Sequence, residues 1–334
     1  MKRLGLTRGR RAALPLGLLV AAVLLAVAGV NPVRSQNPLL VAPAASGKVS
    51  TTNLYSSVWD QAPSVDVTLS MQNVTNPMGG GEVATVRARA LHDGKRLYIL
   101  LEWGDSTRDL TLGLTQYGDA AAVEFPRTPG KTVPSFCMGD VAPDRGVNIW
   151  QWRAVWQEDI ATKQASASIQ ALHPDMQVDL YPFRNDPVYM TARDVNNLVS
   201  IPARTTPIDN LVANQFGTLT DAPQQDVHGL GEWRDGRWRV LLYRDMTQPA
   251  GMPSLSPGTT TNVALAVWDG ARGNRDGMKS VSSFLDLQIA ARTAGGGGLH
   301  WGAGQTLALL IGMFGAATVG LFVLIYAVVR PPER

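Results

Sequence analysis

The chain has 334 residues, 45% hydrophobic and 17% charged, the composition of a folded protein with room for one large domain or two ordinary ones. Its single cysteine, Cys137, excludes an intrachain disulfide framework, a Cys-based zinc site and an iron–sulfur cluster, and the lack of CxxCH excludes covalent haem attachment. The net charge of +3 sits at the ends: without Lys2, Arg3, Arg8, Arg10, Arg11, Arg330, Arg334 and Glu333, 23 basic residues face 26 acidic ones, and no basic stripe remains for nucleic acid.

Residues 1–30 join a basic start, MKRLGLTRGRR, to an apolar run containing Ala26-Val27-Ala28. That is the pattern of a signal peptide cleavable after Ala28, or of an uncleaved signal anchor. Arg10-Arg11 raises the twin-arginine export route. Residues 31–294 then read as an exported domain made mainly of strands. In TVRARALHDGKRLYILLEW (85–103) two alternating runs meet at Asp93-Gly94, and GEWRDGRWRVLLYRD (231–245) repeats the device at Asp235-Gly236. VNIWQWRAVW (147–156) reads as a strand with Asn148, Trp150, Trp152, Ala154 and Trp156 on one face, and TNVALAVWDG (261–270) as another ending in a turn. Residues 157–231, rich in Pro, Asn, Asp and Gln, read as long loop excursions with a short helix near 190–215. The expected fold is mainly β: an antiparallel β-sandwich, immunoglobulin-like or carbohydrate-module-like.

Residues 295–302 form a Gly-rich tether, and 303–330 contain an uncharged run from Leu307 to Val329, long enough for a transmembrane helix. Arg330 and the tail 331–334 place the C-terminus in the cytoplasm, with the exported domain on the periplasmic side of the cell membrane.

Little in the chain is equipped for catalysis. His92, His173, His228 and His300 lack ligand spacing, and no GxSxG, HExxH, Walker loop or dinucleotide fingerprint is present. Two stretches stand out. TVPSFCMGD (132–140) sets Cys137 beside Met138 in a loop bounded by Pro134 and Gly139. A Met there is ordinarily core filler and a lone Cys a small buried hydrophobe. AVWDGARGNRDGMKSVSSFLDL (266–287) puts Lys279 at the lip of a strand, where a lysine is ordinarily a solvated charge.

With these stretches in place, the chain resembles the haem b-binding gamma subunit of ethylbenzene dehydrogenase and its relatives, the third subunits of dimethylsulfide dehydrogenase, selenate reductase, chlorate reductase and some nitrite oxidoreductases. The resemblance runs in order through SVWDQAPSVDVTL (57–69), FCMGD with VNIWQWRA (136–154), NQFGTLTDAPQQDVHGLGEWRDGRWRVLLYRD (214–245) and NVALAVWDGARGNRDGMKSVSSFLDL (262–287). It implies one non-covalent haem b held axially by a methionine and a lysine, here Met138 and Lys279. Met278, beside Lys279, is a decoy, and Met71 and Met78 are alternatives to Met138 that lack the motif. Trp150 and Trp152 are candidates either for the haem pocket or for ordinary core. Cys137 receives no chemistry.

The implied role is electron transfer without catalysis. The implied partners are a molybdenum catalytic subunit, an iron–sulfur subunit and a cytochrome or quinone-linked redox partner at the membrane. The C-terminal anchor, absent from soluble members, favours nitrite or nitrate chemistry by analogy with anchored complexes. The alternative is a membrane-anchored carbohydrate-binding or adhesion module that stacks sugars on some of the nine tryptophans.

Overall fold

Short runs rich in Val, Ile, Leu, Thr and Trp, set between Gly and Pro turns, form fourteen strands among the described residues. The computed structural model describes residues 38–113, 115–128, 133–142, 144–163, 204–247, 251–253 and 255–291. The expected leader 1–30, tether 295–302, membrane span 303–330 and tail 331–334 lie outside them. No helix among the described residues is long and apolar enough to cross a membrane. The chain separates into units after Ala290, and the strands all belong to the first.

In chain order the strands are β1 (Leu39–Ala42), β2 (Val65–Thr68), β3 (Ser70–Met71), β4 (Thr85–His92), β5 (Arg96–Gly104), β6 (Ala120–Pro126) and β7 (Val147–Arg153). After helix α1 (Ala154–Thr162) come β8 (Ile208–Ala213), β9 (Thr220–Asp221), β10 (His228–Arg234), β11 (Arg237–Asp245), β12 (Thr260–Trp268), β13 (Ser280–Val281) and β14 (Leu285–Ile289). One sheet runs β10-β11-β5-β4-β2. The other runs β1-β14-β12-β6-β7-β8-β9, with β13 pairing both β12 and β3. The chain is thus a β-sandwich, and its pairings are antiparallel except β1 with β14, which is parallel.

Both Asp-Gly hairpins form. At Asp235-Gly236 the loop has two residues, since Arg234 pairs with Arg237, and both carry the positive φ a type I′ turn requires (53° and 73°). At Asp93-Gly94 the loop is wider. His92 pairs with Leu97, and Asp93 Oδ1 accepts from the Lys95 and Arg96 N–H groups.

Strand alternation gives each sheet an inner and an outer face. Leu101 and Trp103 of β5 and Trp238 and Val240 of β11 meet Val123, Phe125, Trp150, Trp152 and Leu265 of the other sheet in one core cluster. The Trp152 ring lies 4.8 Å from Trp238 and 6.4 Å from Trp103, and Phe125 lies 4.7 Å from Trp150. The buried indoles that join this core are also hydrogen-bonded. Trp150 Nε1 donates to Asn148 Oδ1 at 2.9 Å, and Trp152 Nε1 to Gln157 Oε1 at 3.0 Å.

Two expectations about the elements need correction. VNIWQWRAVW is not one strand: β7 ends at Arg153, Ala154 opens α1, and the Ala154 N–H turns aside to the Asp119 carbonyl. Trp156 therefore leaves the face of Trp150 and Trp152 and takes the Arg204 guanidinium 4.0 Å from its ring centroid. The helix expected near 190–215 does not extend over its described part. Residues 164–203 lie outside the described residues, and IDNLVA (208–213) is strand β8, paired along β7. Its polar composition misleads because most of its polar groups are buried and partnered, although Asp209 Oδ1 is not. Asn148 Nδ2 donates to Asn210 Oδ1 at 2.7 Å, Asn210 Nδ2 to the Gln224 carbonyl at 2.7 Å, and Arg153 pairs with Asp209 at 3.3 Å.

Candidate functional site

The outer face of the larger sheet has small side chains at its centre. While Ala121, Val123 and Phe125 point into the core, Ala120, Ala122 and Glu124 of β6 point outward. Register sets Ala264 opposite Glu124, Ala266 opposite Ala122 and Trp268 opposite Ala120. Four alanines on neighbouring strands make a shallow floor, with Trp268 at one end and a carboxylate at the other. Above it lies a cleft of about 330 Å³, open mouth included, whose walls include Phe136, Ile149, Trp268 and Lys279.

Met138 arrives on a loop that folds back over this face. Its φ of 67° is left-handed, a conformation that costs a side chain of this kind about 1–3 kcal/mol and needs firm flanks. Gly139 supplies one flank: its φ is 83°, its N–H donates to the Ser135 carbonyl at 2.9 Å, and a Cβ there would stand 2.6 Å from the Arg145 carbonyl oxygen. Glu124 lies near enough for the Met138 N–H to favour its charged form. The half-buried Met138 side chain packs against the outer cluster that includes Ala120, Ala122, Ile149 and Trp268.

Lys279 arrives from the opposite side, on the segment that leads into β13. Its Nζ stands 5.0 Å from the centroid of the Trp268 ring. The residue as a whole is half-buried, yet its amino group is densely surrounded. Burial therefore lowers its pKa from the usual lysine value, with Glu124, Cys137 and Asp276 pulling the other way. Burial also raises Glu124, to about 8, against the attraction of Lys279 and the Met138 N–H. Glu124 Oε1 is buried without a hydrogen-bond partner.

The structure thus brings Met138 and Lys279 to the same outer face of the larger sheet: Lys279 and Glu124 line the cleft, and Met138 packs against the apolar cluster that contributes to its wall. The alternatives sit elsewhere. The Met278 side chain lies on Gly79, and Met71 and Met78 are each 51% exposed. Cys137 is buried, its N–H donates to Ser135 Oγ at 3.1 Å, and its thiol pKa is raised chiefly by burial, which keeps it protonated and inert. Trp150 and Trp152 require correction as pocket candidates. Both are fully buried on the inner face, across the sheet from Ile149 and the cleft, because residues of even and odd number on β7 point to opposite sides.

Four contributors escape a reading of the sequence. Glu124 and half of the alanine floor are written in AAAVEF, whose alternation carries two faces of small and large residues, and Ala264 and Ala266 complete the floor. Trp268 stands out there only as the end of a strand. Gly79, Gly80 and Gly81, a visible triplet, underlie Lys279.

Fold and cleft together define a β-sandwich with a small open cleft on the outer face of its larger sheet. The family model described as ethylbenzene dehydrogenase matches residues 56–280, and the chain belongs to that family. Chlorate reductase subunit gamma of Ideonella dechloratans is 28% identical over 230 residues, covering 68% of this chain and 74% of that one. A protein of Haloferax mediterranei described as a respiratory nitrate reductase heme subunit is 27% identical, covering 69% and 65%. Dimethylsulfide dehydrogenase subunit gamma of Rhodovulum sulfidophilum is 27% identical, covering 56% and 54%. The chain therefore spans somewhat under two thirds of the second relative and about half of the third. Among solved structures, a family 9 carbohydrate-binding module from Caldicellulosiruptor kristjanssonii is similar at a TM-score of 0.38 and 8% identity, over 78% of this chain and all of that one. A likeness at that level carries no functional weight.

Proposed function

We propose that this chain is the haem b subunit of a membrane-associated molybdenum oxidoreductase complex, relaying electrons without catalysing a reaction. The observation that carries the reading is that Met138 and Lys279, from distant parts of the sequence, come to the one sheet face that bears the cleft. Its chemistry suits an iron porphyrin: a neutral thioether, an amine whose surroundings favour the deprotonated form a metal needs, and a flat apolar floor. Bound there without covalent attachment, a single haem b would supply one-electron iron chemistry, with the thioether favouring the ferrous state. With Met138 and Lys279 both engaged in holding the iron, no substrate would be bound by it, which is why the role is a relay.

The protein's own side chains have definable tasks in this reading. Glu124 would set the charge beside both ligands, Trp268 flanks the lysine, and Ser135 braces the Met138 loop through the Cys137 and Gly139 N–H groups. The names of the relatives, gamma and heme subunits of chlorate, nitrate and dimethylsulfide enzymes, support the same assignment. They also support a molybdenum catalytic subunit and an iron–sulfur subunit as partners. The apolar span 303–330 would anchor the domain on the periplasmic face near a cytochrome or quinone-linked partner, and nitrite or nitrate chemistry is the version the anchor favours. The carbohydrate-binding alternative loses its main support, because the tryptophans among the described residues are buried or half-buried and offer no open stacking platform.

The full chain in detergent, given haemin, is expected to show the reduced-minus-oxidised spectrum of six-coordinate low-spin haem b. Met138→Ala and Lys279→Ala should each convert iron to a high-spin form. A folded chain that takes up no haemin ends the proposal, and an unchanged spectrum in either variant moves that ligand to another residue.

A further inference from the structure

Lys279 is held by its backbone, and what holds it is glycine. Its N–H donates to the Gly79 carbonyl at 3.1 Å, and its carbonyl accepts the Gln72 N–H at 3.2 Å. Gly79, Gly80 and Gly81 all have positive φ, at 143°, 88° and 96°, which side-chain-bearing residues rarely adopt. Each glycine faces a different neighbour. A Cβ on Gly79 would stand 3.0 Å from Met278 Cε, and one on Gly81 3.0 Å from the Met71 nitrogen. A Cβ on Gly80 would stand 2.2 Å from the Lys279 carbonyl carbon, 2.3 Å from its oxygen and 2.6 Å from its Cα. Of these contacts the one at Gly80 is the tightest and has no flexible side chain to give way: main chain meets main chain.

The loop carrying the triplet is itself fixed. Gln72 is buried, its Nε2 donating to the Thr75 carbonyl at 2.7 Å and, across the sequence, to the Gly277 carbonyl at 2.9 Å. Its Oε1 accepts the Val74 and Thr75 N–H groups. Ser280 Oγ accepts the Gly81 N–H at 2.9 Å. Residues 72–81 thus form a cradle in which the Lys279 main chain lies, and the cradle closes only where residue 80 has no side chain.

We propose that Gly80 is a positioning residue for Lys279: by letting the two main chains touch, it aims the amine into the cleft while Met278 turns away onto Gly79. The inference rests on Lys279 being an axial iron ligand. Its consequence is selective. A side chain at residue 80 displaces the nitrogen ligand and leaves the Met138 loop, which hangs on Ser135 and Gly139, untouched.

The test uses the full chain in detergent with haemin as probe. Gly80→Ala should give the high-spin spectrum of Lys279→Ala, keep the near-infrared band of thioether-to-iron ligation, and bind haemin about 10- to 100-fold more weakly. The double variant Gly80→Ala with Lys279→Ala should be no weaker than Lys279→Ala alone, a non-additivity that general destabilisation would not produce. A low-spin spectrum and wild-type affinity in Gly80→Ala overturn the proposal, as does full additivity in the double variant. Should Gly80→Ala fail to fold by circular dichroism, Gln72→Leu decides, since it loosens the cradle and leaves the glycine torsions alone. It should lose the nitrogen ligand in the same selective way, and a wild-type spectrum overturns the idea. If the wild-type chain takes up no haemin, the haem reading has failed separately. Amide exchange at Lys279, protected in wild type and fast in Gly80→Ala, then reads the cradle directly, and equal protection in both refutes it.

Discussion

Trp152→Ala is expected to lower the unfolding free energy by about 3–5 kcal/mol, the range for emptying a large buried aromatic site. The site has little means of collapsing. Trp238 and Trp103 stand against the ring from the facing sheet, and β10 passes so close that a Cβ on Gly231 would lie 2.3 Å from a Trp152 ring carbon. The substitution also removes the donor to Gln157 Oε1, although Gln157 keeps both bonds to the Gly231 main chain, at 2.6 and 2.7 Å. Urea unfolding of the wild type and the variant measures the difference, and a loss under about 1 kcal/mol would show that the aromatic core repacks. The same variant separates core from pocket. Where it still folds at low temperature, its haem spectrum should match wild type, because the ring lies on the inner face. A spectrum altered without loss of stability would return Trp152 to the haem site.

The second large effect is on pH dependence. Asp105, Asp119 and Asp269 place carboxylate oxygens within 4.8 Å of one another at one end of the sandwich. Burial pushes Asp119 up to about 7, with the neighbouring Asp105 adding to it, although Gly270 and Asp109 N–H groups and the Trp238 indole oppose the rise. Asp105 and Asp269 are raised in the same direction, again chiefly by burial. A carboxyl whose pKa is higher folded than unfolded holds its proton better in the native state. Its contribution is complete below the ordinary aspartate range and disappears as pH rises through the folded value. Each pH step over which the folded chain binds one proton more than the unfolded chain is worth about 1.4 kcal/mol. The folded chain should therefore gain roughly 2–4 kcal/mol between about pH 8 and about pH 5. Glu102 acts oppositely, since Arg239 and Arg237 more than offset its burial and lower its pKa, so further acidification removes stability. Thermal unfolding across this range checks the sign. Asp119→Asn should flatten the rise, and a profile that climbs towards alkaline pH would contradict the assignment.

What can be read from the sequence divides along a physical line. Local signals are legible: both Asp-Gly hairpins, the alternation of LYILLEW and WRVLLYRD, and the strand TNVALAVW are each fixed by residues within a few positions of one another. Non-local facts are not. Alternation in VNIWQWR separates two sets of side chains without saying which set meets the other sheet, and both faces of β7 prove to be covered. The Asn and Asp residues of β8 read as loop because their hydrogen-bond partners, among them Asn148 and Arg153, come from far along the chain. At the site, Met138 and Lys279 stand out through the family pattern. Glu124 cannot, since a single carboxylate acquires meaning only when strand register sets it beside both.

The parallel pairing of β1 with β14 has a consequence for the order of events during synthesis. The first strand finds its partner in the last, with Leu39 opposite Asp286 and Ala42 opposite Ile289, so nearly all the described chain must be made before that seam can close. Closing a loop of a few hundred residues costs of the order of 5 kcal/mol in chain entropy, which local hairpins do not incur. The β10–β11 and β4–β5 hairpins can form early, whereas the sheet that carries the cleft is completed late. Loading of any prosthetic group onto that sheet then belongs at the end of maturation, after the last strand is in place.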